Sequence, residues 1–404
     1  MTRFHRRVVG PLIALLFVGS SVPSPLYRVY QSRWHFADAV LTGVFAVYAV
    51  TVVVALLFLG PLSDRYGRRG LATAGLAVVE ASMLVFRFAP DVGWLFVARG
   101  LQGMGVGVGG AALAAAIVDS SSDDSTVGAL RANVWSNLGL GAGVLGAGLL
   151  VLYTTEATSI AFDALLGLFV VAIAVSATMP SRPIVQPIRP ARGRTALEST
   201  TGRRREFLLQ GVGLAVAWAV GGWYLSLGPS VAVAVIPSSG QWSGTLAVSS
   251  LGLVGAAVAG LGRRWGSVRQ VRIGSPVLVV GLVAAVWASA ARSDVTFVAG
   301  SIVLAAGWGL LAVGSFRALV GLSGPEDRAG VISVAYLISY GAFSIPAMAA
   351  GLAAGSYGLR GTTIVFGAIA GLAAAVAWGV DLRTVRPSAS AAPLAPVVDS
   401  GEDR

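Results

Sequence analysis

The sequence predicts an all-α membrane protein: twelve transmembrane helices in two six-helix bundles, with both termini cytoplasmic. Three observations predict it. Of 404 residues, 55% are hydrophobic and only 12% charged, against about 25% charged in an ordinary soluble domain. Twelve stretches follow one another that are each near the roughly 20 apolar residues needed to cross a bilayer. The basic residues, all arginine, gather on alternate connections between those stretches.

The stretches cover residues 8–30, 37–60, 70–89, 93–119, 127–153, 158–179, 207–229, 243–262, 270–291, 294–322, 329–352 and 357–380. The first follows RFHRR and shares features with a signal peptide. Its length, and the lack of a soluble mature domain after it, favour an uncleaved span. With the N-terminus in the cytoplasm, 22 arginines fall on cytoplasmic segments and five on the other side, and Arg99 and Arg317 lie within spans. The positive-inside rule then fixes the orientation. The net charge of +11 is thereby explained by topology, and no nucleic-acid partner is expected. There is no cysteine, and His5 and His35 both lie outside the spans. Thiolate metal sites are excluded and histidine chemistry is disfavoured, so no metal and no enzymatic activity are expected.

Residues 180–206, with four prolines and seven arginines, divide the spans six and six. The expected organisation is an N-terminal bundle over 1–179, a cytoplasmic linker over 180–206, a C-terminal bundle over 207–383 and a disordered tail over 384–404. A weak repeat supports the division. GPLSDRYGRR follows span two and AGLGRRWGSVR follows span eight. At an offset of 199, Leu62, Arg65, Tyr66 and Gly67 fall on Leu261, Arg264, Trp265 and Gly266, while Asp64 falls on Arg263. Two six-span halves with such a repeat are the sequence mark of a secondary transporter.

The stretch 60–69 resembles the loop signature of the major facilitator superfamily, G-x-L-x-D-R-x-G-R-R, and the resemblance extends over residues 8–380. It implies a gating loop of Gly60, Asp64, Arg65, Gly67, Arg68 and Arg69. The glycines permit a tight turn, and Asp64 can face the positive end of a helix in the other half. In the family this loop is a cytoplasmic latch, and Asp119 at the end of span four is the expected partner of Arg68. The alternative is a purely topogenic arginine cluster, for which a lone Asp has no use. ARGLQGMGVGVGG, from residue 98, resembles the superfamily's span-four signature through Arg99, Gln102, Gly103 and Gly105. There the resemblance implies proton coupling at Arg99. A charge inside a span is itself a functional hypothesis.

Only Glu80 and Asp163 are acids well within spans, and Asp163 is shallow. Glu80 and Arg99 stand about equally far from the turn joining spans three and four, so they lie at similar depth. Two readings of a Glu80–Arg99 pair stand: a carboxylate that takes a proton and releases Arg99, or a static ion pair. The same arithmetic pairs Arg28 with Asp38, favoured as structural. Pro23 and Pro25 interrupt span one and offer a hinge or a bent cavity wall. Pro25 and Tyr27 also match the family's P-x-Y. In span five Gly139, Gly143 and Gly148 fit the family's antiporter motif, but Val144 replaces its proline and Ala147 a glycine.

Family topology implies a central cavity lined by spans one, four, seven and ten, helped by two, five, eight and eleven. Gln102, Asn137, Trp218, Trp308, Tyr336 and Tyr340 are the candidate lining residues, suited to amphipathic or aromatic molecules. Few charges reach mid-depth in the second half, which disfavours a highly charged substrate. The expected function is proton-coupled export of a small amphipathic or hydrophobic compound. It would proceed by alternating access, as a monomer in a bacterial inner membrane. The proton gradient supplies energy and no cofactor is expected. The alternatives are a proton-symport importer of a small neutral metabolite and, from another class, a non-transporting membrane sensor.

Overall fold

Prolines and glycines decide where the apolar runs of this chain bend, and so where its helices begin and end. The computed structural model describes residues 3–59, 62–119, 125–180, 203–235, 240–324 and 327–384. Helices α1 (Arg3–Ser21) and α2 (Pro23–Trp34) form the first crossing, broken where Pro23 and Pro25 remove backbone donors. Helix α3 (Asp38–Val54) runs into a π-helical turn, Ala55–Leu59. Helices α4 (Leu62–Phe88), α5 (Val92–Asp119), α6 (Ser125–Tyr153) and α7 (Ala157–Ala177) complete the first six crossings. Within α4, Gly67 has φ 77°, a backbone state that a residue with a Cβ rarely adopts, and it turns the loop into the span.

Helix α8 (Arg204–Ser226) continues after a break into α9 (Gly228–Val235). Then come α10 (Gly240–Leu261), a 3-10 turn (Gly262–Arg264), α11 (Ser267–Ala291), α12 (Asp294–Gly321) and α13 (Arg328–Thr384). Among the described residues, eleven segments are long and apolar enough to cross a membrane. The eleventh, Gly330–Gly379, has 50 residues, about 75 Å of helix, more than twice a hydrocarbon core of about 30 Å. It breaks at Gly358, φ 71°, and therefore holds two crossings. No strand occurs among the described residues.

The first six and last six crossings meet along two seams. Helix α6 packs on α10, where a Cβ on Gly252 would stand 2.4 Å from Gly141 N and 2.5 Å from the Asn137 carbonyl oxygen. Only glycine allows two backbones this near. Helix α3 packs on α13, with Phe45 and Phe343 ring centroids 6.2 Å apart. At the end away from Arg68, Ser24 Oγ donates to the Leu225 carbonyl, and Tyr153 meets Trp242 edge-on at 5.7 Å. Phe58, Val171, Val283, Trp287 and Leu372 point outward and exposed, as lipid-facing side chains do.

Candidate functional site

The break in the first crossing builds the receptor for Arg99. Pro23 has no N–H, so the Gly19 carbonyl four residues earlier loses its helical donor. Gln102 Nε2 donates to that oxygen at 3.0 Å. One turn back on α5, Arg99 Nη1 donates to the Ser20 carbonyl at 2.8 Å and to Gln102 Oε1, and Nε donates to the Tyr27 hydroxyl. Ser20 Oγ donates to the Tyr48 hydroxyl at 2.8 Å. The guanidinium also lies 4.6–5.3 Å from the ring centres of Phe45, Tyr48 and Tyr27, and 5.9 Å from Phe86. Ring faces are negative and attract a cation, by about 2 kcal/mol when both are desolvated. Arg99 is 1% exposed and Gln102 0%. Arg99 Nη2 has no hydrogen-bond partner among the described residues. The cage thus holds a buried cation with neutral groups only and leaves the two N–H of Nη2 unspent.

This corrects the expected Glu80–Arg99 pair. No ion pair joins them. The reason is rotation about the helix rather than depth. Thr73 Oγ1 meets Ser176 Oγ at 2.9 Å, and Arg87 Nε donates to Asp163 Oδ1 at 2.8 Å, so both reach α7. Glu80 lies seven residues from each, on the same face of α4. Arg99 instead turns toward α1, α2 and α3. The Arg28–Asp38 pair is also absent, because Asp38 Oδ1 accepts from Gln31 Nε2 at 3.0 Å. Shallow Asp163 is the partner of Arg87.

Of the six candidate cavity residues, three come together. Trp218 and Tyr340 ring centres are 5.2 Å apart, and Tyr340 and Tyr336 are 6.4 Å apart. The row continues through Phe343, 6.1 Å from Trp218, to Phe45 and Tyr27, which are 5.7 Å apart. It therefore runs from the Arg99 cage in the first six crossings to Tyr336 in the last six, at spacings aromatic pairs favour. Tyr336 is 37% exposed. The other three do not form a wall. Trp308 is buried, donates from Nε1 to the Ala217 carbonyl at 2.8 Å and packs over Gly221 and Gly255. Asn137 is buried, donates to Asn133 Oδ1 at 3.0 Å and lies in the α6–α10 seam. Gln102 belongs to the Arg99 cage.

In the loop between the second and third crossings, Arg68 Nε donates to Asp119 Oδ2 at 2.5 Å, tying the start of α4 to the end of α5. Arg69 is exposed and Gly67 supplies the turn. Gly60 lies outside the described residues, as do the side chains of Asp64 and Arg65. The second half carries a related tie of different chemistry: Arg317 Nη1 on α12 donates to the Trp265 carbonyl at 3.3 Å and to Gln270 Oε1 at 3.4 Å.

Sequence reasoning missed Ser20, Phe45, Tyr48 and Phe86 as cage residues, and Tyr27 as the partner of Arg99. One signal was available. Ser20, Ser24 and Tyr27 fall at i, i+4 and i+7, a polar stripe on one face of an apolar span.

Residues 9–346 match the family model described as Major Facilitator Superfamily. A Multidrug resistance protein D of Escherichia coli (strain K12) is 37% identical over 99 residues, covering 24% of this chain and 25% of that protein. A 4-hydroxybenzoate transporter of Pseudomonas putida is 28% identical over 112 residues, 27% of this chain and 25% of that one. The matched segments thus span about a quarter of these relatives' lengths. The solved structure of a mutant of the nucleoside transporter NupG superposes with a TM-score of 0.73 over 94% of this chain and 100% of that one. At 11% identity that likeness concerns the fold.

Proposed function

The chain belongs to the major facilitator superfamily, and from that premise we propose that it exports a small amphipathic, ring-bearing compound by alternating access. The observation that carries this reading is the aromatic row from Tyr27 to Tyr336, which ends beside a buried cation whose Nη2 is unpartnered. Rings offer stacking area without demanding charge on the ligand, and the phenol tips of Tyr336 and Tyr340 add polar contacts. In this reading the inward proton gradient supplies the energy. Arg99 supplies the charge whose surroundings change between states, since a buried cation held only by neutral groups is sensitive to any acceptor that reaches Nη2. In this reading the Arg68 loop and both termini face the cytoplasm of a bacterial inner membrane, which the arginine distribution supports, and the monomer is the working unit. The Arg68–Asp119 tie then acts at the cytoplasmic gate, and the contacts at the Ser24 and Tyr153 end close the outer one. The resemblance to a multidrug resistance protein supports the direction.

Val144, standing where the family's antiporters carry proline, favours a second reading, proton-symport import of a small neutral metabolite. Everted vesicles with an acidified lumen and a pH-sensitive dye separate the two. Adding amphipathic aromatic compounds should release lumenal protons with the native protein and not with Arg99→Lys. Gradient-driven uptake of a labelled compound into intact cells, with no proton release in the vesicles, would overturn export.

A further inference from the structure

The turn between α10 and α11 lies on the same side of the bilayer as Arg68, because six crossings separate the two. It lacks the acids of its counterpart in the first half. At the offset of 199, Asp64 falls on Arg263, and Asp119, the partner of Arg68, falls on Ala318. Residues 262–272 hold four arginines and no acid. Arg263, Arg264 and Arg269 are exposed. The Arg269 guanidinium lies over the Trp265 ring, 4.8 Å from its centre, and Arg317 Nη1 donates to the carbonyl of the same residue at 3.3 Å. Gln270 holds the arrangement in place: its Nε2 donates to the Gly262 carbonyl at 3.0 Å and its Oε1 accepts from Arg317. Arg263, Arg264, Arg269 and Arg317 form no ion pair with a described residue.

Topology explains why arginines stand on this side of the bilayer. It does not explain why two guanidinium groups rest on one tryptophan with no carboxylate beside them. Like charges repel, so an anion between them is favoured. The surroundings say which kind. Leu261, one turn nearer the membrane on α10, is 79% exposed, and the half-buried Trp265 ring suits the headgroup level. An anion that carries its own hydrocarbon fits both features. We propose that this turn binds an anionic phospholipid of the leaflet it faces, with phosphate oxygens on Arg264 and Arg269 and an acyl chain along Leu261. Guanidinium forks match phosphate oxygens in geometry and charge. The lipid then supplies the negative charge that Asp119 supplies to Arg68 in the first half. The site stands whether the transported compound leaves or enters.

The test uses full-length protein, stripped of lipid in a neutral detergent, with the melting temperature as readout. Phosphatidylglycerol should raise it saturably, whereas zwitterionic phosphatidylcholine and sodium phosphate at matched ionic strength should not. Each arginine at an anionic headgroup contributes about fivefold to affinity, so Arg264→Gln/Arg269→Gln should weaken phosphatidylglycerol binding at least about tenfold. Arg7→Gln/Arg131→Gln removes the same charge from exposed positions on the same side and should leave the affinity native. No rise with phosphatidylglycerol, an equal rise with phosphatidylcholine or with phosphate alone, or equal losses in the two double variants would each overturn the site. Should the first double variant fail to fold, Arg269→Gln against Arg131→Gln still decides.

Discussion

Replacing Gly252 by alanine tests whether the α6–α10 seam is as close as described. The added methyl would stand 2.4 Å from Gly141 N, 2.5 Å from the Asn137 carbonyl oxygen and 2.7 Å from Gly141 Cα. Ordinary contact begins near 3.4 Å, so the two backbones must separate by about 1 Å. No flexible side chain is there to yield, because all three neighbours are main-chain atoms. Overpacking of this kind costs about 1–3 kcal/mol. Gly146, on α6 itself, has nothing within 4 Å of its would-be Cβ. Gly146→Ala should therefore be neutral or stabilising by up to about 1 kcal/mol, the helix preference for alanine. Thermal unfolding of the purified protein, followed by intrinsic fluorescence, should place Gly252→Ala several degrees below Gly146→Ala. Transport should fall in the first variant alone, since the seam joins the two sets of crossings that must move against each other. Equal melting temperatures for the two variants would refute the backbone contact.

Arg99→Lys removes the planar fork and the Nε–H to Tyr27 while keeping the charge, and should cut transport at least about tenfold; vesicle flux measures it. Glu80→Gln should leave flux and its pH dependence close to native, because Glu80 faces α7 rather than the Arg99 cage; a flat pH profile would contradict that placement. Trp308→Phe removes the indole hydrogen bond to the Ala217 carbonyl and should destabilise by about 0.5–1.5 kcal/mol, without altering the ligand selectivity measured in the same vesicles. Pro23→Ala returns a helical donor to the Gly19 carbonyl that Gln102 now uses, so transport should fall although the helix gains propensity. Unchanged transport would show that the break is dispensable.

The number and order of crossings were legible because a bilayer imposes one length on every span, and apolar runs of that length are hard to mistake. Even the Gly- and Ser-rich eighth stretch is helical, as α10. The end of the seventh was less readable. There α8 stops at Ser226 and α9 carries the chain on to Val235. A glycine and a proline at the junction mark the break, yet hydropathy runs straight across it. The Arg68–Asp119 contact was readable from the loop motif. The Arg99 environment was half readable. Charge, depth and the adjacent glutamine pointed to a buried functional cation, but its partners depend on which way each helix is turned.

That last difference explains why the acid was sought in the wrong place. Depth along a span follows from counting residues, whereas direction around it follows from packing that counting does not reach. In water a buried arginine would need a carboxylate. Here Pro23 of the first crossing does part of that work. Pro23 leaves the Gly19 carbonyl free for Gln102, and Gln102 in turn accepts from Arg99. Phenols and ring faces supply the remaining negative potential. Helix-breaking residues and an intramembrane cation are each costly alone. Placed together they are linked through Gln102, which donates to the carbonyl that Pro23 leaves unpaired and accepts from Arg99. A search for the partner of an intramembrane arginine should therefore weigh proline-released carbonyls and tyrosines beside the carboxylates.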